Sequence, residues 1–365
     1  MASLWSSGDR RRRSFAFLIA AHALALSCTS GSAIVVPSAS APSDATSAVP
    51  TRSPNDSATE TLRRTPPQDP YRDAEVTQVE ADIVDLHGGD VGYMGVSRDS
   101  VWVATSGGLL RIDPKTLRVE EIDHASRFGL DASMDAVWTT EFDPGTVARF
   151  DPAKKTPATV VELSGNPDSL VIFEDSVWVA QHRGGSVTRL DASTGSVLAT
   201  VEVGPEGFGG PHGIGADKFG VWVGIPRPES RSVVRIDPST NAVVATIKTQ
   251  SSACGGIALD PDAVWVSSCY DDHFAIRIDP RTNLLVAEID IGGYNGRPLL
   301  IDGYPWYPVD HRLVRIDPKT NQIDRIVEFA RDFSAFGSTM GFGSVWVGDF
   351  GGHVARFPIT ALADR

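Results

Sequence analysis

Residues 169–203 read SLVIFEDSVWVAQHRGGSVTRLDASTGSVLATVEV. Four short apolar runs stand out, at 169–173, 177–180, 186–190 and 197–203, separated by Glu-Asp, Gly-Gly and Ser-Thr-Gly turns. Brief runs rich in Val and Leu and bounded by turn formers predict antiparallel strands rather than helices. We name them A to D. The unit recurs: Trp102, Trp138, Trp178, Trp222, Trp265, Trp306 and Trp346 follow one another at 36, 40, 44, 43, 41 and 40 residues. A Trp in an apolar strand every 40 residues or so is the pattern of a β-propeller with one four-stranded blade per repeat. The fold class read from the sequence is therefore all-β, a seven-bladed β-propeller of four-stranded antiparallel blades.

Each Trp sits among Val residues on a sheet covered on both faces, which places it between blades rather than in a ligand cage. Arg-Ile-Asp-Pro recurs at 111–114, 235–238, 277–280 and 315–318, with variants at 149–152 and 189–192. The Asp accepts backbone N–H groups of the following turn and the Pro presets its φ, so the motif starts the C–D hairpin. Its acids are turn formers, not catalysts. After Trp346 there is room for strand C at 353–359 but none for strand D before Arg365. The segment 78–86 is expected to supply that strand, so that an N-terminal strand pairs with the last blade and closes the ring.

Residues 1–27 read as a signal peptide: Arg at 10–13, then an apolar stretch at 15–26 too short to span a bilayer. Arg12-Arg13-Ser14-Phe15 fits twin-arginine export, with Sec export as the alternative. Leu24-Ala25-Leu26-Ser27-Cys28 resembles a lipobox, which implies a lipidated Cys28; an ordinary cleaved signal is the other reading. Residues 28–74, rich in Ser, Thr, Ala and Pro, cannot bury a core and are expected to be a disordered tether. The propeller is assigned to 75–365. An exported protein anchored to the cell envelope through lipid, and monomeric, is the expectation.

The chain holds 33 basic and 46 acidic residues, a formal charge of −13. Nucleic acid is thereby an unfavourable partner, because phosphate neutralisation dominates such binding. Anionic lipid is repelled too, leaving the lipid anchor as the membrane contact. Cys254 and Cys269 flank a hairpin whose turn is Asp260-Pro261-Asp262, and counting back from the turn sets them opposite each other at disulfide distance. An exported chain makes that bond favourable.

In a four-stranded antiparallel blade, the B–C loops and the D–A connections emerge on one face, and the A–B and C–D turns on the other. His182, His273, His311 and His353 fall in B–C loops, and His87, His124 and His212 in D–A connections, so every His after the signal lies on one face. The same loops carry Glu141, Arg183, Arg227, Tyr270, Asp271, Asp272, Asp310 and Asp349, and the connections carry Arg127, Tyr294, Arg297 and Phe333. Variable loops on a rigid scaffold are where binding groups are usually placed. The ligand-binding face is expected there. Metal binding stays open, with Asp271-Asp272-His273 as possible contributors to a cation site between blades.

The strand B motif Ser176-Val177-Trp178-Val179-Ala180, with Arg189-Leu190-Asp191 and Gly195, resembles blades of the YncE-like and virginiamycin B lyase (streptogramin lyase) propellers over residues 78–360. Pro211-His212-Gly213-Ile214 is similar to the lyase stretch whose His acts as general base in opening a cyclic ester by elimination, assisted by Mg²⁺. That resemblance implies a catalytic role for His212. The chain departs from the lyase pattern at Gly210 and Ile225-Pro226, where acidic residues are expected, and at Pro167-Asp168, where Pro-His is expected. Three readings follow: a binding module for a small molecule, glycan or peptide; a lyase-like enzyme using His212 and Mg²⁺; or a scaffold for envelope proteins.

Overall fold

The structure is a computed structural model that describes residues 69–122, 129–269, 272–329 and 331–363. The signal peptide, Cys28, tether residues up to 68, and His124, Arg127, Tyr270 and Asp271 lie outside the described residues. Seven antiparallel sheets follow one another along the chain, at 91–122, 130–162, 167–202, 214–248, 253–290, 299–328 and 335–358, and we number them as blades 1 to 7. Blade 3 shows the agreement with the sequence reading, its strands running Pro167–Phe173, Ser176–Gln181, Ser186–Asp191 and Val197–Glu202.

All seven strand B tryptophans are fully buried. Each packs on the blade that follows it. Trp178 meets Ile214, Val221 and Val223 of blade 4, Trp222 meets Val264 and Ile276 of blade 5, and Trp346 meets Val101 and Val103 of blade 1, which completes the circle. A side chain of this size contributes on the order of 3 kcal/mol when removed from water.

The Arg of Arg-Ile-Asp-Pro does more than precede a turn. It sits directly across the ladder from the Trp of its own blade, as in Trp222↔Arg235, and its guanidinium stacks on the indole at 5.2 Å from the ring centre. In blades 1, 3, 4 and 5 the guanidinium then reaches the C–D turn of the next blade. Arg235 donates to the Pro280 carbonyl at 3.0 Å and to Asn283 Oδ1 at 2.9 Å, and Arg189 donates to the Pro238 carbonyl at 2.7 Å and to Asn241 Oδ1 at 3.0 Å. Arg277 repeats the pattern on Pro318 and Asn321. These Asn residues serve twice, since each also takes the left-handed backbone that ends its turn, with φ of 55° at Asn241 and 59° at Asn283.

Ring closure is more extensive than the sequence reading anticipated. Asp82–Asp85 pairs antiparallel with His353–Pro358 and completes blade 7, as expected from 78–86. Glu75–Gln78 does something additional: it pairs in parallel with Gln322–Glu328 and gives blade 6 a fifth strand. Further upstream, Tyr71 donates its hydroxyl to the Ile291 carbonyl at 2.5 Å and lies under the Arg312 guanidinium, so packing of the propeller begins before Glu75. One N-terminal strap thus fastens blades 5, 6 and 7. Cys254 and Cys269 are joined by a disulfide, with Cα atoms 5.7 Å apart, tying the start of strand A of blade 5 to its B–C loop.

Candidate functional site

Strands A line the middle of the ring, and their first residues reach the face that carries the B–C loops. Two blades bring chemistry to this position. Asp168 is the second residue of strand A in blade 3, and His212 stands just ahead of strand A in blade 4 (Ile214–Asp217). They are 44 residues apart, as are Trp178 and Trp222, so they occupy the same place in adjacent repeats. His182 joins them from the B–C loop of blade 3, directly after strand B.

These three side chains form a compact group, each presenting one donor atom, with the three atoms within 4.8 Å of one another. Asp168 is 7% exposed and His182 is 6% exposed. His212 Nδ1 lies 3.1 Å from Asp168 Oδ2, and the His182 and His212 rings meet edge to face at 5.5 Å. The close His212–Asp168 contact is not aligned as a hydrogen bond. Asp168 Oδ2, His212 Nδ1 and His182 Nδ1 are all buried without a hydrogen bond among the described residues. Burial, and then the neighbouring His212, hold the pKa of His182 below the usual imidazole value.

The backbone around the group is fixed, and the Gly209 N–H donates to His182 Nε2 at 3.4 Å. His212 donates its N–H to the Gly224 carbonyl at 3.1 Å, and its own carbonyl accepts from the Ser169 hydroxyl. The Asp168 carbonyl accepts from Thr140 Oγ1 at 2.7 Å, and the His182 N–H donates to the Asn166 carbonyl at 3.0 Å. Gly210 runs against the His182 carbonyl so closely that a Cβ there would collide with it. Arg227 holds the adjoining connection by donating to the Phe208 and Glu206 carbonyls, at 3.0 and 2.9 Å.

Phe142 and Phe208 lie against the His182 ring at 6.0 and 5.7 Å, and a further aromatic group is built from blades 7 and 1 and the connection into blade 6. Tyr93 stacks on Phe336 at 5.9 Å, and Phe336 contacts Tyr294 at 6.0 Å and Phe350 at 5.0 Å. Arg297 places its guanidinium 5.9 Å from the Tyr93 ring centre. Burial, and then the Asp168 carboxylate, raise the pKa of the Tyr93 hydroxyl well above the phenolic range. Half-buried Asp131 of blade 2 accepts from the Ile172 N–H at 2.8 Å; desolvation raises its pKa against the pull of Arg297.

The remaining face residues are spread around the rim and mostly engaged locally. Asp349 accepts from the N–H groups of Gly351 and His353 at 2.9 and 2.7 Å and contacts the His353 ring, which shapes the B–C loop of blade 7. Asp272 accepts from the Ser252 N–H at 2.8 Å, His311 lies 3.6 Å from Glu328, and Glu141 accepts from Thr146 at 3.1 Å. Arg183 lies over Phe142, while His273 and Asp310 are exposed. Phe333 belongs to a core cluster with Phe329. Of the predicted residues, His182, His212 and Arg297 converge on the middle of the ring. Asp168 was legible only as a departure from Pro-His; its equivalence to His212 in the repeat is the signal that places it beside that residue.

The Mg²⁺ that the lyase resemblance implies does not fit these residues. Mg²⁺ takes oxygen donors in near-octahedral geometry. Here two of three donors are imidazoles, and Ile225, where a carboxylate is expected, is buried in the apolar core of blade 4.

Fold and cluster together define a seven-bladed β-propeller with a polar group at the inner rim of one face. The chain matches no family model and no curated protein. Among solved structures, it is similar to a streptogramin B lyase structure at 17% identity over 76% of this chain and 97% of that one, with a TM-score of 0.63. Virginiamycin B lyase from Staphylococcus aureus gives 17% identity, coverages of 77% and 99%, and a TM-score of 0.63. BamB from Moraxella catarrhalis gives 17% identity, coverages of 73% and 85%, and a TM-score of 0.56. At such identity these likenesses establish the shared propeller fold.

Proposed function

We propose that the protein is an exported, lipid-anchored binding module that holds a small molecule, glycan or peptide at the inner rim of its loop face. Asp168, His182 and His212 form the polar end of the site, and Tyr93, Tyr294, Phe336 and Phe350 the apolar end. The observation that carries this reading is the set of buried, unpaired polar atoms on Asp168, His182 and His212. An unmade buried hydrogen bond costs about 1–3 kcal/mol, and a ligand that supplies the missing partners recovers it. The disulfide supports residence outside the reducing cytoplasm. Thermal-shift screening of sugars, short peptides and cyclic esters should yield compounds that raise the melting temperature of the parent protein. The same compounds should leave the Asp168→Ala/His182→Ala/His212→Ala variant unmoved; an equal response from that variant would place the site elsewhere.

One contact favours a second reading. The Asp168 carboxylate lies 3.1 Å from His212, as an orienting acid lies beside a general base, and the His212 side chain is 30% exposed to an incoming substrate. A lyase-like reaction would then use His212 to abstract a proton next to an ester carbonyl. Incubation with a streptogramin B lactone distinguishes the outcomes by mass: elimination opens the ring at unchanged mass, and hydrolysis adds one water. An intact lactone leaves the binding module.

A further inference from the structure

We infer that Asp168, His182 and His212 form a site for a divalent transition metal of the Zn²⁺, Co²⁺ or Ni²⁺ class, in place of the Mg²⁺ that the lyase resemblance implies. The donor chemistry decides the class. Imidazole suits Zn²⁺, Co²⁺ and Ni²⁺, whereas Mg²⁺ demands oxygens and dehydrates reluctantly. Two imidazoles and one carboxylate are also a complete three-donor set for Zn²⁺, which leaves coordination positions for water or a ligand.

The geometry agrees. Donors on one Zn²⁺ at bond lengths near 2 Å stand about 3.0–3.4 Å apart. His212 Nδ1 and Asp168 Oδ2 stand 3.1 Å apart without the alignment of a hydrogen bond, a spacing that suits two atoms directed at a third. The donor atoms of all three residues lie within 4.8 Å of one another, and ligation by His182 gives up only the long 3.4 Å contact that its Nε2 accepts from the Gly209 N–H. The backbone is already fixed, through the Gly224 carbonyl and Ser169 hydroxyl at His212, Thr140 at Asp168 and Asn166 at His182, as preorganised ligation requires. Among the described residues this is the one cluster of three or more His, Cys, Asp and Glu side chains so arranged, and two of its members are more than nine-tenths buried. Surface coordination by scattered histidines is a different situation.

The inference concerns the site of the proposed function and stands without an organic ligand. The test uses the full chain, untagged, stripped with a chelator and titrated with Co²⁺. One equivalent should bind and give a visible d–d band, which Zn²⁺ abolishes and a thousandfold excess of Mg²⁺ leaves intact. His182→Ala and Asp168→Asn should each weaken Co²⁺ binding by about 100-fold or more, while His353→Ala on the rim changes nothing. His182→Gln, which keeps much of the side-chain volume, serves if the Ala variant unfolds, and tryptophan fluorescence reports the fold in every case. Absence of the band in the parent protein, its displacement by Mg²⁺, or its persistence in the Asp168 and His182 variants would overturn the site. Co²⁺ uptake with no organic ligand found keeps the metal and removes the binding module; a ligand that binds a protein unable to take Co²⁺ does the reverse.

Discussion

The two faces of the ring use the same residue types to opposite ends. On the C–D turn face, Asp237 accepts from the Ser239 N–H at 2.8 Å and from its hydroxyl at 2.7 Å, and Asp191 accepts from the Ser193 and Thr194 N–H groups at 3.0 and 2.8 Å. The Ser193 hydroxyl, which donates to Asp191 at 2.6 Å, and then these N–H groups pull the Asp191 carboxyl down to about 2. On the B–C loop face, Asp168 is more deeply buried yet leaves Oδ2 unpaired, beside two imidazoles that are also incomplete. Satisfied acids repeat around the turn face, whereas the unsatisfied acid occurs on blade 3, in a group completed by a His from blade 4 on the loop face. The chain secures stability on the turn face and keeps unsatisfied groups for a third party on the loop face.

The largest perturbation should abolish the distinction. Deleting residues 69–85 removes both the strand that completes blade 7 and the fifth strand of blade 6, so the ring opens and both faces fail together. Loss of a cooperative melting transition is the expected outcome; an unchanged melting temperature would refute closure by the strap. Next in size is Trp222→Ala, which empties a fully buried site between blades 4 and 5 and should cost about 3–5 kcal/mol in urea denaturation. Arg235→Leu comes third. It removes the stacking on Trp222 and leaves Asn283 and the Pro280 carbonyl without their partner, for about 1–3 kcal/mol. Arg235→Lys should recover less than half of that, because an ammonium cannot serve the indole face and three acceptors, the Phe219 and Pro280 carbonyls and Asn283, as a planar fork does. A full recovery would mean that charge alone holds neighbouring blades.

Periodicity made the ring legible in the sequence. A Trp every 40 residues or so reports blades because the position must be apolar in each repeat, and the parity of four strands sorts the loops onto faces without coordinates. The Asp-Pro turns were legible for the same reason, being local. What needed the structure was contact between repeats. Arg235 looks like an ordinary cross-strand cation until the C–D turn of the following blade is seen beneath it, and Glu75–Gln78 offers four residues with no hint that their partner is a strand some 250 residues away. The site was half legible. Loop parity puts His182 and His212 on the B–C loop face, but a list of loop residues does not tell the inner rim from the outer. His353 and Asp349 engage each other within their loop and His311 lies beside Glu328 of strand D, whereas Asp168, on a strand, escapes a search confined to loops.

The smallest expected change in stability is the sharpest test of the two-face comparison. Asp237→Ala removes an acceptor that holds a turn and should lower the urea midpoint measurably. Asp168→Ala removes a more deeply buried carboxylate, yet in the presence of chelator it should alter stability by less than about 0.5 kcal/mol in either direction, because no hydrogen bond to Oδ2 is lost and an unsatisfied atom disappears. The two variants exchange rank once function is read out: Asp237→Ala should bind Co²⁺ as the parent protein does, and Asp168→Ala should not. Burial would ordinarily predict the reverse order for stability. If Asp168→Ala proves the more destabilising of the pair in chelator, its carboxylate is a structural group whose partners are supplied within the fold, and the unsatisfied cluster ceases to mark a site.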